Sequence, residues 1–125
     1  MSNLRQVTPF MHVADLDQAL AFFNGVLGFE TGLRHGPYAY IHRAAVGFRL
    51  TEAPGMPGDR RTAYYIDVHD VDALYAELKA KLDQLPAGSA YPPTDRDWGM
   101  RELMVLAPDG NFITFGQALT PHAEN

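Results

Sequence analysis

The sequence predicts an α+β protein built from two βαβββ modules in tandem. Three observations carry that prediction. Short segments alternate apolar and polar residues with the period of a β-strand, and two longer segments have the period of an amphipathic helix. Clusters of Gly and Pro separate them. The plan also repeats, because Val-Ala-Asp-Leu-Asp at 13–17 is answered by Val-His-Asp-Val-Asp at 68–72.

The first module spans about residues 5–52. Its opening strand is predicted over residues 7–13, with Val7 among the side chains that face the helix. Asp15 is placed to cap that helix, and Gly25 and Gly28 mark its end. The apolar stripe of the helix consists of Leu16, Ala19, Leu20, Phe23 and Leu27. Three further strands are predicted over residues 29–34, 38–43 and 46–51.

A linker over 53–61 precedes the second module, which spans about residues 62–118, and a tail follows over 119–125. We treat residues 1–125 as one domain of two modules. The second module opens with a strand over 62–68, and Asp70 is placed to cap its helix. The apolar face of this helix consists of Val71, Leu74, Leu78 and Leu82. Turn-rich residues 85–95 lead into an edge strand, and strands over 101–106 and 111–116 flank a Pro-Asp-Gly turn.

Composition excludes several classes of function. The chain of 125 residues carries a formal net charge of −5 and no run of Lys or Arg, so we expect no nucleic-acid partner. It has no cysteine, which excludes disulfides, thiolate metal sites and a cysteine nucleophile. No apolar segment has the length of a membrane span or of a signal peptide, so we expect no membrane partner and a cytoplasmic location. The modest core favours a homodimer.

Three segments carry a resemblance to a known family: HVADLDQALAFFNGVLGFE, IDVHDVDALYAEL and WGMRELMVLAPDGNFITFGQ. Together and in this order they resemble the vicinal oxygen chelate superfamily of glyoxalases, extradiol dioxygenases, and fosfomycin- and bleomycin-resistance proteins. The likeness covers about residues 7–117. It implies that the modules form curved mixed sheets around a cleft and pair within one chain or between chains of a dimer.

The resemblance also implies where metal-dependent members hold their four His or Glu ligands. The matching positions here are Thr8, Arg49, Ala63 and Thr114. A guanidinium repels a divalent cation, alanine has no donor atom, and neutral hydroxyls are weak ligands. We therefore expect no metal and no cofactor, which argues against the metal-dependent chemistries of the superfamily.

Two polar residues on predicted inner strand faces are candidates for ligand binding. His12 is interpreted either as a neutral, hydrogen-bonded part of the cavity wall or as a residue that contacts a ligand. Arg49 needs a partner on such a face, and either Asp67 or Glu102 would form a buried or half-buried ion pair with it. Alternatively, Arg49 binds a carboxylate or oxyanion of a ligand.

Aromatic residues exceed what a single core face per module requires. Helix-facing positions are already filled by Val7, Met11, Phe48, Leu50, Ile66, Ile113 and Phe115. We therefore expect a cleft lined by a second aromatic set, namely Phe10, Tyr38, Tyr40, Tyr65, Trp98 and Phe112. Trp98 either stacks on the ligand or anchors its loop or the dimer. The surrounding segment DWGMRE, with Asp97 and Arg101, is otherwise explained as an edge strand whose charges discourage aggregation.

The leading hypothesis is a non-catalytic protein of the bleomycin-resistance type, which sequesters a bulky small molecule that is aromatic and cationic. The predicted ligand-binding residues are Phe10, His12, Tyr40, Arg49, Tyr65, Asp67, Trp98, Glu102 and Phe112. The alternative is a lyase, isomerase or dioxygenase-like enzyme acting on a small carbonyl or aromatic compound, with His12, Tyr65 or Glu102 as acid or base. A third hypothesis is a module that regulates another protein and whose cavity is vestigial.

Overall fold

A computed structural model of the protein describes residues 3–53 and 62–120. Most of the predicted linker and the end of the predicted tail lie outside these residues. The chain divides into two compact units, Met1–Pro57 and Gly58–Asn125.

The first unit is a four-stranded mixed sheet with one helix. Its elements are β1 (Phe10–Val13), α1 (Leu16–Gly25), β2 (Glu30–His35), β3 (Tyr38–Arg43) and β4 (Val46–Glu52). The strand order is β1-β4-β3-β2, with β1 parallel to β4 and the other pairs antiparallel. This is the predicted βαβββ arrangement.

The second unit repeats the same topology. Its elements are β5 (Ala63–Asp67), α2 (Val71–Leu82), β6 (Ala90–Asp95), β7 (Met100–Leu106) and β8 (Phe112–Ala118). The strand order is β5-β8-β7-β6, again with only the first pair parallel. Predicted and observed strand ends differ by at most three residues, which is normal where ladders fray, but β6 lies inside the segment 85–95 that was predicted as a turn-rich connection.

Both predicted helix caps are confirmed. The carboxylate of Asp15 accepts a hydrogen bond from the Gln18 backbone N–H at 3.1 Å, and that of Asp70 accepts one from Ala73 at 3.0 Å. Each bond satisfies a donor that the first turn of a helix leaves without an internal partner.

A second acceptor reaches each helix from the last strand of its unit. Glu52 Oε2 accepts from the backbone N–H of Leu16 at 2.9 Å, and Gln117 Oε1 accepts from that of Val71 at 2.8 Å. The repeat therefore extends to side chains that fasten each helix to its own sheet. Glu52 points toward α1, away from the sheet face predicted to bind a ligand.

Each helix covers one face of its own sheet, and the core of each unit lies between that helix and that sheet. The predicted helix-facing residues are buried, with one exception, and they are Met11, Phe48, Leu50, Ile66, Ile113 and Phe115. The exception is Val7, which is 88% exposed and lies before β1. The prediction of a strand from residue 7 is wrong because the ladder with β4 begins only at Phe10, and Pro9 has no N–H to donate.

The strand predicted as an edge is in fact internal. The edge position belongs to β6, whereas β7 is hydrogen-bonded on both sides, to β6 and to β8. Alternating charges in DWGMRE therefore do not protect a sheet edge. Neither helix of the described residues is long and apolar enough to cross a membrane.

Candidate functional site

The sheet face opposite α2 collects most of the residues predicted to bind a ligand. On β5 the side chains of Tyr65 and Asp67 alternate with the buried Ile66, so both lie on the face away from the helix. Asp67 and Glu102 are both register partners of Gly116, on opposite sides of β8. Phe112 lies on this face too, four residues earlier along β8, and is half-buried.

A buried carboxylate organises this face. Glu102 is only 5% exposed, and its Oε2 accepts hydrogen bonds from the Tyr65 hydroxyl at 3.0 Å and from Trp98 Nε1 at 3.1 Å. Its Oε1 lies 3.5 Å from Nε of Arg96, which forms an ion pair with it. We call these four residues, Tyr65, Arg96, Trp98 and Glu102, the Glu102 cluster.

Tyr65 reaches Glu102 because there is no side chain at Gly116. A Cβ on Gly116 would lie 1.7 Å from the Tyr65 hydroxyl oxygen, so the phenol lies flat across the backbone at that point. Burial, the hydrogen bond to Glu102 and the negative charges of Glu102 and Asp67 raise the pKa of Tyr65 to about 12. At neutral pH Tyr65 is therefore a hydrogen-bond donor to the carboxylate.

Trp98 combines exposure with a fixed orientation. Trp98 is 67% exposed, and among the described residues the next most exposed large aromatic side chain is Phe10 at 55%. Its indole N–H is nevertheless anchored on the buried Glu102. A large ring held at its polar edge and open to solvent on its apolar surface is suited to stacking on a planar ligand.

Arg96 is the member of the cluster that sequence analysis missed. Its Nε is buried and has no hydrogen-bond partner among the described residues, although Nη2 contacts Met104 Sδ at 3.5 Å. Arg96 neutralises Glu102 and so makes burial of that carboxylate possible. The only sequence signal was an arginine between two aspartates close to the tryptophan.

A second group of predicted residues meets in the first unit. Nη1 of Arg49 on β4 donates to the hydroxyl of Tyr38 on β3, and its guanidinium carbon lies 5.7 Å from the centre of the Tyr40 ring. Tyr40 in turn stacks on His42, with 5.8 Å between ring centres and an angle of 21° between planes. A Cβ on Gly47 would lie 2.7 Å from the Tyr40 hydroxyl, so this ring also lies down over a glycine.

These residues surround an open cavity of about 420 Å³. Eight residues, all within the described part of the chain, line it: Arg5, Gln6, Gly32, Leu33, Tyr38, Tyr40, His42 and Arg49. We call this cavity the Arg49 pocket. Its lining holds two arginines, a histidine and two phenols, and none of the eight side chains is acidic.

Within the described residues of the first unit, Arg49 contacts aromatic side chains and forms no ion pair. Arg49 is exposed, and its guanidinium contacts two phenols rather than a carboxylate. An ion pair of Arg49 with Asp67 or Glu102 would join the two units and stays a prediction. Phe10, the register partner of Arg49, is 55% exposed, and His12 is exposed as well.

Comparison with known proteins identifies the family. The model of the Glyoxalase/Bleomycin resistance protein/Dioxygenase superfamily matches residues 5–115. The chain belongs to this superfamily. Bleomycin resistance proteins of Geobacillus stearothermophilus and Staphylococcus aureus are 25% identical to it over 134 residues, covering 91% of this chain and 97% of theirs.

Solved structures of the superfamily have the same fold. A bleomycin resistance determinant encoded on transposon Tn5 superposes with a TM-score of 0.82 at 21% identity, covering 94% of this chain and all of that one. A bleomycin-binding protein in complex with bleomycin gives a TM-score of 0.79 at 21% identity, covering 91% and 98%. The bleomycin-binding protein of Streptomyces verticillus with copper(II)-bleomycin gives 0.75 at 23%, covering 92% and 97%. The predicted fold and resemblance are confirmed.

The four positions that the resemblance assigns to metal ligands carry residues that do not suit a divalent cation. Thr8 lies before β1, Arg49 directs a cation at Tyr38 and Tyr40, Ala63 has no donor atom, and Thr114 offers a neutral hydroxyl. Among the described residues no group of three or more His, Asp or Glu side chains is arranged to hold a metal ion.

Proposed function

We propose that this member of the superfamily binds and sequesters a bleomycin-like small molecule without breaking a bond in it. The ligand would be planar and aromatic in part and carry positive charge. Resistance would follow from mass action, because a bound drug is withdrawn from its target. Sequence relatives named bleomycin resistance proteins, and structural relatives in complex with bleomycin, support this ligand class.

The observation that carries the proposal is the exposed indole of Trp98 anchored on buried Glu102. Leaving a large apolar ring in water forgoes burial free energy, about 2 kcal/mol for a side chain of this size. A flexible loop would let the ring fold onto the surface, whereas the hydrogen bond to Glu102 holds it outward. The arrangement favours a planar ligand that covers the ring.

The exposed carboxylate of Asp67 is the better source of attraction for a cationic ligand. Glu102 is buried and already interacts with Tyr65, Trp98 and Arg96, so its role is to orient the Trp98 and Tyr65 rings. Asp67 lies on the same sheet face, is exposed, and is close enough to contribute to the raised pKa of Tyr65. We further propose that the protein is a homodimer and that its ligand occupies a cleft.

Isothermal titration with metal-free bleomycin tests the proposal. We expect saturable binding by the wild type and binding weaker by about tenfold or more for Trp98→Ala, the loss of one stacked ring. Tyr75→Ala is the control, because Tyr75 lies on α2 and away from the Trp98 sheet face. Absence of saturable binding by the wild type, or unchanged affinity for bleomycin in Trp98→Ala, would contradict the proposal.

An enzymatic function is the second candidate, and the Tyr65–Glu102 hydrogen bond is what favours it. A phenol with a raised pKa can donate a proton or a hydrogen bond to a developing oxyanion but is a poor base at neutral pH. Turnover of small carbonyl or aromatic compounds, abolished by Tyr65→Phe, would establish it. The same assays run with nickel, zinc, iron or manganese added would reveal a dependence on metal.

A further inference from the structure

We propose that Met104 is an oxidation-sensitive site that regulates the Glu102 cluster, an inference that rests on the function proposed above. Conversion of its thioether to a sulfoxide draws Arg96 away from Glu102 and releases Trp98, so that the oxidised protein binds its ligand more weakly. The chain contains no cysteine, so an oxidant meets no thiol, and the thioethers of methionine are the side chains it attacks first.

Met104 lies on the sheet face that carries the Glu102 cluster. It follows Glu102 by two residues on β7, and Leu103 between them is fully buried on the opposite face, toward α2. Met104 itself is half-buried, and its neighbour on β6, Tyr91, is 51% exposed. A small oxidant therefore reaches this thioether more readily than that of Met11, which is 0% exposed.

The sulfur of Met104 contacts the cation of the cluster. Nη2 of Arg96 donates to Met104 Sδ at 3.5 Å, while Nε of the same guanidinium lies 3.5 Å from Glu102 Oε1. That Nε makes no hydrogen bond within the described part of the chain, so charge attraction is what holds it beside Glu102. One guanidinium thus lies between a sulfur and a carboxylate, and the thioether is the weaker acceptor of the two.

Hydrogen peroxide supplies the oxygen for the modification. The Met104 sulfur attacks one oxygen of the peroxide, so that an S–O bond forms and the O–O bond breaks. The departing hydroxide takes the proton of the transferred oxygen and leaves as water. Sulfur is thereby oxidised by two electrons and the peroxide is reduced by two, and the product is a polar sulfoxide in place of an apolar thioether.

The sulfoxide oxygen then competes with Glu102 for the guanidinium. A strong acceptor replaces the weak one at the Nη2 side of Arg96, and the guanidinium moves toward it. Glu102 loses the cation that compensates its burial, so the buried position of its carboxylate becomes unfavourable. As Glu102 shifts, the indole N–H of Trp98 loses the acceptor that fixes the ring.

Mild treatment of the folded protein with hydrogen peroxide tests the proposal. Trypsin cleaves after Arg101, so a gain of one oxygen in peptide 102–125 reports Met104, the only methionine of that peptide. Trp98 lies in the neighbouring peptide 97–101, so damage to the indole is recognised separately. We expect the fluorescence anisotropy of Trp98 to fall and bleomycin to bind about threefold or more weakly in isothermal titration. Methionine sulfoxide reductases should restore both.

Three variants isolate the sulfur of Met104. Met104→Leu keeps the volume without an oxidisable atom, so its anisotropy and its bleomycin affinity should survive peroxide. Met104→Gln places a polar acceptor there without any oxidant and should lower the anisotropy before treatment. Met100→Leu is the matched control, because Met100 is also half-buried and lies on the same face of β7, and this variant should respond to peroxide like the wild type. Circular dichroism checks the fold of each.

The proposal is overturned if Met104 of the folded protein resists a dose that oxidises free methionine, or if the oxidised wild type keeps its anisotropy. It is equally overturned if Met104→Leu responds to peroxide as strongly as the wild type. The anisotropy is measured without ligand, so it tests the contacts of Met104 and Arg96 whether or not bleomycin binds. Failure of the untreated wild type to bind bleomycin counts against the proposed function, and is thus distinguishable from failure of the switch.

Discussion

The phenol of Tyr65 lies across Gly116 so closely that a Cβ on this glycine would be 1.7 Å from the hydroxyl oxygen. The backbone at Gly116 needs no left-handed conformation, so the requirement for glycine comes from the neighbouring ring. The same phenol donates to Glu102, which also accepts from Trp98. A residue without a side chain thus supports the orientation of an exposed tryptophan two contacts away.

Gly116→Ala should therefore displace Tyr65 and leave the fold intact. The obstructing atoms belong to the far end of a side chain that can rotate away, so we expect a loss of about 1–3 kcal/mol in the free energy of unfolding. Urea denaturation measures it. Gly25→Ala is the control, because nothing lies within 4 Å of a Cβ there and the position is the last residue of α1. That variant should be neutral or more stable by up to about 1 kcal/mol.

Removing the buried carboxylate should cost more than removing one of its donors. In Glu102→Ala the Tyr65 hydroxyl and the Trp98 N–H lose their acceptor and the Arg96 guanidinium loses its ion-pair partner, whereas Tyr65→Phe removes one hydrogen bond. We expect about 2–4 kcal/mol for the first variant and about 1 kcal/mol for the second in urea denaturation. Equal costs would show that Glu102 is not the centre of the cluster.

Release of Trp98 should also be visible in Glu102→Ala. Without the hydrogen bond at Nε1 the indole is free to reorient, so the anisotropy of its fluorescence should fall and bleomycin binding should weaken. Trp98 is the only tryptophan of the chain, so the signal has one source. Unchanged anisotropy would mean that the loop backbone, rather than Glu102, orients the ring.

The raised pKa of Tyr65 predicts a loss of stability at alkaline pH. The folded protein holds the phenolic proton up to a pKa of about 12, whereas the ordinary value is 10.0. The native state therefore binds more protons than the unfolded chain between these values, and stability falls as pH rises through that interval. Urea denaturation between about pH 9 and about pH 11.5 should show a steeper decline for the wild type than for Tyr65→Phe. Parallel curves for the two proteins would contradict this assignment.

Each helix has a side-chain acceptor at its first N–H, and this equivalence predicts the effect of substituting one acceptor by the other. Glu52 and Gln117 occupy equivalent places, each accepting from the first N–H of a helix. Gln117→Glu would place at α2 the negative charge that α1 already has, and we expect a gain of about 0.3–1 kcal/mol from the helix dipole. Gln117→Ala should lose about 1 kcal/mol instead, because the N–H of Val71 loses its acceptor. Thermal unfolding at low and high salt measures both effects, and the gain should shrink as salt rises.

Local signals in the sequence were sufficient for the elements of this fold. Asp15 and Asp70 cap the helices as predicted because capping depends on a side chain and a backbone N–H only three residues apart. Alternation correctly assigned Tyr65, Asp67 and Phe112 to the sheet face away from the helix, since the period of a strand determines which side a residue faces. The prediction that Val7 faces the helix was wrong because the alternation of apolar and polar residues continues beyond the point where β4 pairs with the chain.

The partners of the functional residues were decided by tertiary structure alone. Sequence determined that two βαβββ units form and which side chains share a face, because periods and caps are local. It could not show that β7 lies inside its sheet, that Arg96 neutralises Glu102, or that Arg49 contacts Tyr38. These contacts join residues whose distance depends on strand order, register and bulges, and none of those leaves a periodic trace in the chain. Gly47 and Gly116 were the one available clue, since a glycine inside a strand indicates that another group passes close to the backbone.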